Sequence, residues 1–149
     1  MATIRITKEF HFEMAHALEN YDGACKNIHG HSYKLFITLK GQPLENENSP
    51  KKGMVLDFQD LKKLVKRPVV DWLDHSLVLN SKTPKEFIEQ VSSLYEKVHV
   101  FDFQPTCENL VIYIAQFLRD SMPDSTVLHS VKLYETASSF AEWYAEDNK

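Results

Sequence analysis

Residues 25–39 read CKNIHGHSYKLFITL, and from His29 onward the imidazoles and the large apolar positions alternate strictly: His29, His31, Tyr33, Leu35, Ile37 and Leu39 are all odd-numbered. Period two is the signature of a strand with one buried face, so both imidazoles point the same way as four apolar or aromatic side chains. Two buried imidazoles side by side each need a partner. A His-x-His pair in a strand brings two ring nitrogens to one point and suits a divalent metal such as zinc. The alternative is a pair of core histidines hydrogen-bonded to backbone. Thr3 to His16 alternates in the same manner, with Ile4, Ile6, Phe10, Phe12, Met14 and His16 on even positions and only Lys8 interrupting. Two such strands joined by the loop Ala17 to Ile28 can pair antiparallel, which sets His16 beside His29 and His31. Three imidazoles with an open position describe a catalytic zinc site, whereas Cys25 as a fourth ligand would close it into a structural one.

The chain has 149 residues, 43% of them hydrophobic and 26% charged, with four Gly and six Pro, which predicts one globular domain over residues 1–149. A net charge of -4 lacks the basic excess of a nucleic-acid binder. No apolar run approaches the roughly 20 residues of a membrane span, and Met1 to Ile6 lacks the apolar core of a secretory signal, so no membrane partner and a cytoplasmic location are expected. Cys25 and Cys107 are then expected to be reduced, which frees Cys25 to act as ligand, nucleophile or base.

Further along, Gly41 to Gly53 is a polar connection and Met54 to Phe58 reads as a short strand. Asp57 and Asp60 open a helical pattern through Phe58, Leu61, Leu64 and Val65 that Pro68 should bend or break. Asp74-His75 is either a proton-transfer pair, if the fold turns both inward, or a helix-end charge. Pro84 to Lys97 carries Phe87, Val91, Leu94 and Tyr95 at helical spacing, and Val98 to Phe103 is strand-like. Thr106 is the expected N-cap of a helix with Leu110, Ile114, Phe117 and Leu118 on one side; Glu108 in its first turn complements the helix dipole. In Thr126 to Glu135, Val127, Val131, Leu133 and Glu135 keep one phase. An inward carboxylate ending an apolar strand needs a partner, and no Lys or Arg is marked as one. A ligand with a guanidine-like edge, such as a pterin, would donate two parallel hydrogen bonds to it. Ala141, Trp143 and Ala145 alternate in a closing strand.

The motifs Phe12-Glu13-Met14-Ala15-His16, Cys25-x3-His29-Gly30-His31, Met54-Val55-Leu56-Asp57-Phe58, Leu73-Asp74-His75, Pro105-Thr106-Cys107-Glu108-Asn109 and Tyr134-Glu135-Thr136 occur in the order found in the 6-pyruvoyl-tetrahydropterin synthase family. The sequence resembles that family, most nearly its bacterial 6-carboxy-tetrahydropterin synthases of queuosine biosynthesis. The resemblance implies an α+β tunnelling fold: a four-stranded antiparallel sheet with two main helices on one face, closed by neighbouring subunits into a barrel and stacked as a hexamer, a dimer of trimers. It implies active sites between subunits, one Zn2+ per subunit on His16, His29 and His31, and Cys25 as the proton-abstracting base. Asp74 and His75 would complete the relay, and Glu135 would anchor a pterin, helped by Thr106 to Glu108. The implied substrate is 7,8-dihydroneopterin triphosphate. The product is the 6-carboxy compound with acetaldehyde or, alternatively, the 6-pyruvoyl compound. The three residues between Cys25 and His29 are the family's cue for the carboxy product. A non-catalytic zinc-binding module is the reading outside enzymes. Two departures stand out: Cys107 replaces the more usual Ser or Thr, and Ser81 to Gln104 is longer than in compact bacterial members.

Overall fold

A computed structural model describes residues 1–149 and lays the two alternating stretches down as adjacent central strands. β1 (Ile4–His16) and β2 (His29–Gly41) pair antiparallel along their whole length, from Ile4 opposite Gly41 to His16 opposite His29. Even positions of β1 and odd positions of β2 therefore share a face. Phe10, Phe12, Met14, Tyr33, Leu35, Ile37 and Leu39 are buried there, as the alternation predicts. Closing the strand pair in that register puts the histidines of both strands at one end of the apolar face.

The sheet has six strands in the order β4-β3-β1-β2-β5-β6. β5 (Val127–Thr136) and β6 (Ser139–Tyr144) continue the antiparallel pattern beyond β2, whereas β3 (Ser76–Asn80) and β4 (Val98–Phe101) join beyond β1 in parallel. The expected four-stranded antiparallel sheet is thus only part of a mixed, six-stranded one. β3 escapes a period-two reading because Val78, Leu79 and Asn80 are all buried, so nothing alternates. β3 and β4 run parallel because a helix, α3 (Lys85–Leu94), carries the chain back between them.

Two helices cover the apolar face. α1 (Phe58–Val65) contributes Leu61 and Val65 and is capped by Asp57, whose carboxylate accepts from the Gln59 N–H at 2.8 Å. α4 (Cys107–Arg119) contributes Cys107, Leu110, Val111, Ile114, Ala115 and Leu118; Phe117, expected on that side, is 39% exposed. α3 adds no residue to the central core cluster. Pro68 interrupts the α-helix without ending the helical path: α1 stops at Val65. A wide π turn at Lys66–Val70 absorbs it and leads into the short α2 (Asp71–Leu73). A proline has no N–H to offer and its ring crowds the preceding turn, and the looser i→i+5 bond from Asp71 N–H to Lys66 O accommodates both.

Two other expectations fail locally. Met54 to Phe58 is not a strand; the Leu44 N–H donates to Met54 O at 2.9 Å and the preceding Gly53 N–H donates to Leu44 O at 2.8 Å, holding a loop before Asp57 turns into α1. In β5 the pairing with β2 skips His129, a bulge that flips the phase, so Leu128 is buried and Val127 is 59% exposed. Val131 and Leu133 keep the inward phase.

Candidate active site

His16, His29 and His31 converge, with one ring nitrogen from each lying within 4.8 Å of the others. His16 Nδ1 is 2.7 Å from Pro105 O and His29 Nδ1 is 2.7 Å from Asn27 O. A carbonyl oxygen only accepts, so each Nδ1 carries the proton and each neutral ring presents Nε2 as a bare acceptor. These two Nε2 atoms face one another at 3.1 Å. His31 Nε2 is buried without a hydrogen-bond partner. Two lone pairs meeting at 3.1 Å repel unless a cation lies between them, and tetrahedral Zn–N bonds of about 2.0–2.1 Å space ligand nitrogens by about 3.3 Å. The donor set therefore fits a divalent metal such as zinc, with the two backbone carbonyls fixing ring orientation from behind. Burial also holds the His16 imidazole below its ordinary pKa, hence neutral and able to ligate.

Beside the cluster lies a cavity of about 270 Å³ lined by His16, Cys25, Thr106, Glu108 and Glu135, with Leu18, Tyr21 and Phe140 among its apolar walls. Cys25 comes from a single 3-10 turn, Ala24–Lys26, inside the β1–β2 loop, and is partly exposed. Cys107 also reaches this cavity but is no competitor for its chemistry. Burial pushes its thiol up to about 12, and its Sγ donates to Leu133 O at 3.2 Å. Glu135 projects between β5 and the histidines, where its Oε1 is 3.6 Å from His31 Nε2 and no Lys or Arg pairs with it. The carboxylate read from the sequence as lacking a Lys or Arg partner thus faces His31 instead. Thr106 caps α4 as expected, its hydroxyl accepting from Asn109 N–H at 3.2 Å, and Glu108 follows in the first turn.

Asp74 and His75 lie elsewhere. His75 lines a separate cavity of about 790 Å³ with Glu13, Ser32, Lys97 and the rim of His31. The two side chains do meet, with His75 Nδ1 2.8 Å from Asp74 Oδ2, although neighbours in sequence often face apart. A left-handed backbone at His75, φ 59°, accompanies this turn. The Glu13 N–H donates to Asp74 Oδ1 at 2.8 Å and the His75 N–H to Glu13 O at 2.6 Å, locking the pair to β1. Partial burial raises the Asp74 carboxyl, but the Glu13 N–H and His75 outweigh it and leave the group below the usual carboxylate range. Within one chain, then, the Asp-His pair and Cys25 serve different cavities.

Two residues near the site make contacts that local spacing does not announce. Tyr33 stacks on Phe12 with ring centroids 5.0 Å apart, and its buried hydroxyl has no partner. Gln104 makes its contacts through side-chain hydrogen bonds to residues distant in sequence, which no local spacing reveals.

The chain matches the model of the family described as 6-pyruvoyl tetrahydropterin synthase over residues 5–146. A 6-carboxy-5,6,7,8-tetrahydropterin synthase from Haemophilus influenzae is 36% identical over 143 residues, covering 93% of this chain and 97% of the relative. A 6-pyruvoyl tetrahydrobiopterin synthase from Pongo abelii is 32% identical over 126 residues, covering 83% and 72%. Among solved structures, the 6-pyruvoyl tetrahydropterin synthase of Caenorhabditis elegans superposes with a TM-score of 0.67 at 27% identity, covering 97% of each chain. An uncharacterised protein from Wolinella succinogenes shares the fold at a TM-score of 0.79 and 24% identity, covering 97% of this chain and 99% of that one. A match that takes in the whole histidine cluster, both cavities and every strand of the sheet but for Ile4 makes the chain an enzyme of the 6-pyruvoyl tetrahydropterin synthase family.

Proposed function

We propose that the chain is a lyase that converts 7,8-dihydroneopterin triphosphate to 6-carboxy-5,6,7,8-tetrahydropterin, releasing acetaldehyde and triphosphate, a reaction that serves queuosine biosynthesis. The observation that carries the reading is the three-histidine cluster opening beside a cavity that also holds a free thiol and a carboxylate with no Lys or Arg partner. A closed structural metal site has no use for Glu135. The Haemophilus influenzae relative and its namesakes from Rickettsia and Synechocystis support the carboxy product, as do the three residues between Cys25 and His29.

In this proposal His16, His29 and His31 hold one Zn2+ per subunit. When bound, it supplies Lewis-acid polarisation of the substrate's side-chain oxygens. Glu135 accepts the donor edge of the pterin and sets its depth in the cavity, the Thr106 to Glu108 turn bounds the site, and Leu18, Tyr21 and Phe140 exclude water. Cys25 removes a proton from the substrate side chain. Asp74 accepts the Nδ1–H of His75, which leaves His75 Nε2 free to relay protons. Because His75 lines a different cavity of its own chain, the relay is assigned to a neighbouring copy in a homo-oligomer, a hexamer built as two trimers. The domain spans residues 1–149, and the enzyme works in the cytoplasm.

Incubation with 7,8-dihydroneopterin triphosphate tests the proposal directly, with the pterins resolved by mass and the aldehyde trapped. Equal amounts of 6-carboxy-tetrahydropterin and acetaldehyde are expected. A 6-pyruvoyl product without aldehyde would move the chain to the chemistry named for the Pongo abelii relative, and no consumption of substrate would remove the lyase reading.

A further inference from the structure

One polar network reaches both the loop that carries Cys25 and the carbonyl that orients His16. The side-chain amide of Gln104 pairs with the backbone of Glu19 in both directions. Gln104 Nε2 donates to Glu19 O at 2.8 Å, and the Glu19 N–H donates to Gln104 Oε1 at 3.1 Å. Asn80, at the end of β3 and 7% exposed, adds a third bond from its Nδ2 to the same Oε1 at 3.2 Å. The backbone of Gln104 is fixed in turn: its carbonyl accepts from Thr106 N–H at 2.8 Å and from Asn109 Nδ2 at 2.9 Å. The next residue, Pro105, supplies the carbonyl against His16 Nδ1. Next to Glu19, the Leu18 N–H donates to Cys25 O at 3.0 Å. A short relay of hydrogen bonds thus links Gln104 to the thiol-bearing turn on one side, while its neighbour holds the histidine on the other.

We infer that Gln104 is a positioning residue that sets the Cys25 thiol relative to the His16, His29 and His31 cluster. β1 ends at His16, so the sheet itself exerts no hold on residues 17–28. An amide suits the task because it satisfies an N–H and a C=O of one backbone residue together, as a neighbouring strand would. The inference rests on the proposed role of Cys25 as base.

Two variants test it. Gln104→Leu keeps the volume and loses all three side-chain bonds. Gln104→Glu keeps the shape and the accepting oxygen but turns a second oxygen toward Glu19 O, and serves if the leucine variant folds poorly. Turnover, KM, metal content and the rate of Cys25 alkylation by iodoacetamide at fixed pH are measured on the full chain loaded with zinc. Cys107 is 8% exposed, and Cys25→Ala supplies its background. Expected are a kcat lower by about tenfold or more, a KM within about twofold, unchanged metal content and an alkylation rate altered by about threefold or more. Native kcat would overturn the inference. So would lost turnover with native alkylation, a rise in KM alone, or loss of the metal, since each places the effect away from the thiol. Persistent turnover in Cys25→Ala is a separate failure: it removes the base assignment and with it the catalytic relevance of Gln104.

Discussion

Two protonated Nδ1 atoms decide the character of the histidine site. Because Pro105 O and Asn27 O take those protons, His16 and His29 have only lone pairs to offer one another, and the His31 Nε2 lies buried beside them without a hydrogen-bond partner. Substituting Ala for any one of the three should lower zinc content, measured by elemental analysis, and abolish turnover while the assembly persists, since the core is built from other residues. Full zinc occupancy in all three variants would rule out the assignment. Glu135 offers a second test at this scale. Glu135→Gln replaces one acceptor by a donor facing the donors of the pterin, so substrate affinity should fall by about 2 kcal/mol or more while zinc is unaffected. Unchanged affinity, read by calorimetry with a pterin, would make this carboxylate structural.

Among the elements, β5 shows how one inserted residue rephases a strand and what it leaves behind. His129, the bulge residue, is buried, and Arg5 Nε donates to its Nε2 at 2.8 Å, with Tyr144 against the ring and Lys40 and Glu146 nearby. Burial, and then Arg5, hold its pKa below the ordinary value. The unfolded chain therefore binds that proton more readily. The contribution to stability is present above the ordinary histidine pKa of about 6.5 and is lost as the pH falls below it. Between about pH 7 and about pH 5 the native chain should lose more resistance to urea than His129→Gln; parallel losses would show that the ring titrates as if exposed. The elements also mark where a sequence informs. Strict alternation located β1 and β2, and Thr106 announced α4, because period and cap are local properties. The uniformly buried β3, the π turn around Pro68 and the bulge at His129 depend on what packs or pairs across the sheet, which local spacing does not carry.

At the scale of the whole molecule, the histidine cluster was legible because a single strand register creates it. The separation of Cys25 from His75 follows from no local spacing, since their cavities are set by the path of the entire chain, and only the family resemblance, with its sites between subunits, pointed toward it. If neighbouring copies unite them, Cys25→Ala and His75→Ala should each be inactive alone. Mixed, dissociated and reassembled, they should recover activity, with about a quarter of sites holding one intact residue from each parent. An inert mixture that has demonstrably exchanged subunits would mean that both residues must come from one chain.

The β1–β2 ladder closes with His16 opposite His29, and everything from Ala17 to Ile28 hangs outside that register. Lengthening or shortening this loop changes the closure entropy only slowly and shifts no paired residue. His16, His29 and His31 are thus placed by the paired strands of the sheet, while the thiol rides on the loop that joins them. Selection, or an engineer grafting loops between relatives, can relocate the thiol by whole residues with the three histidines kept in register, provided the Asn27 carbonyl that orients His29 is kept.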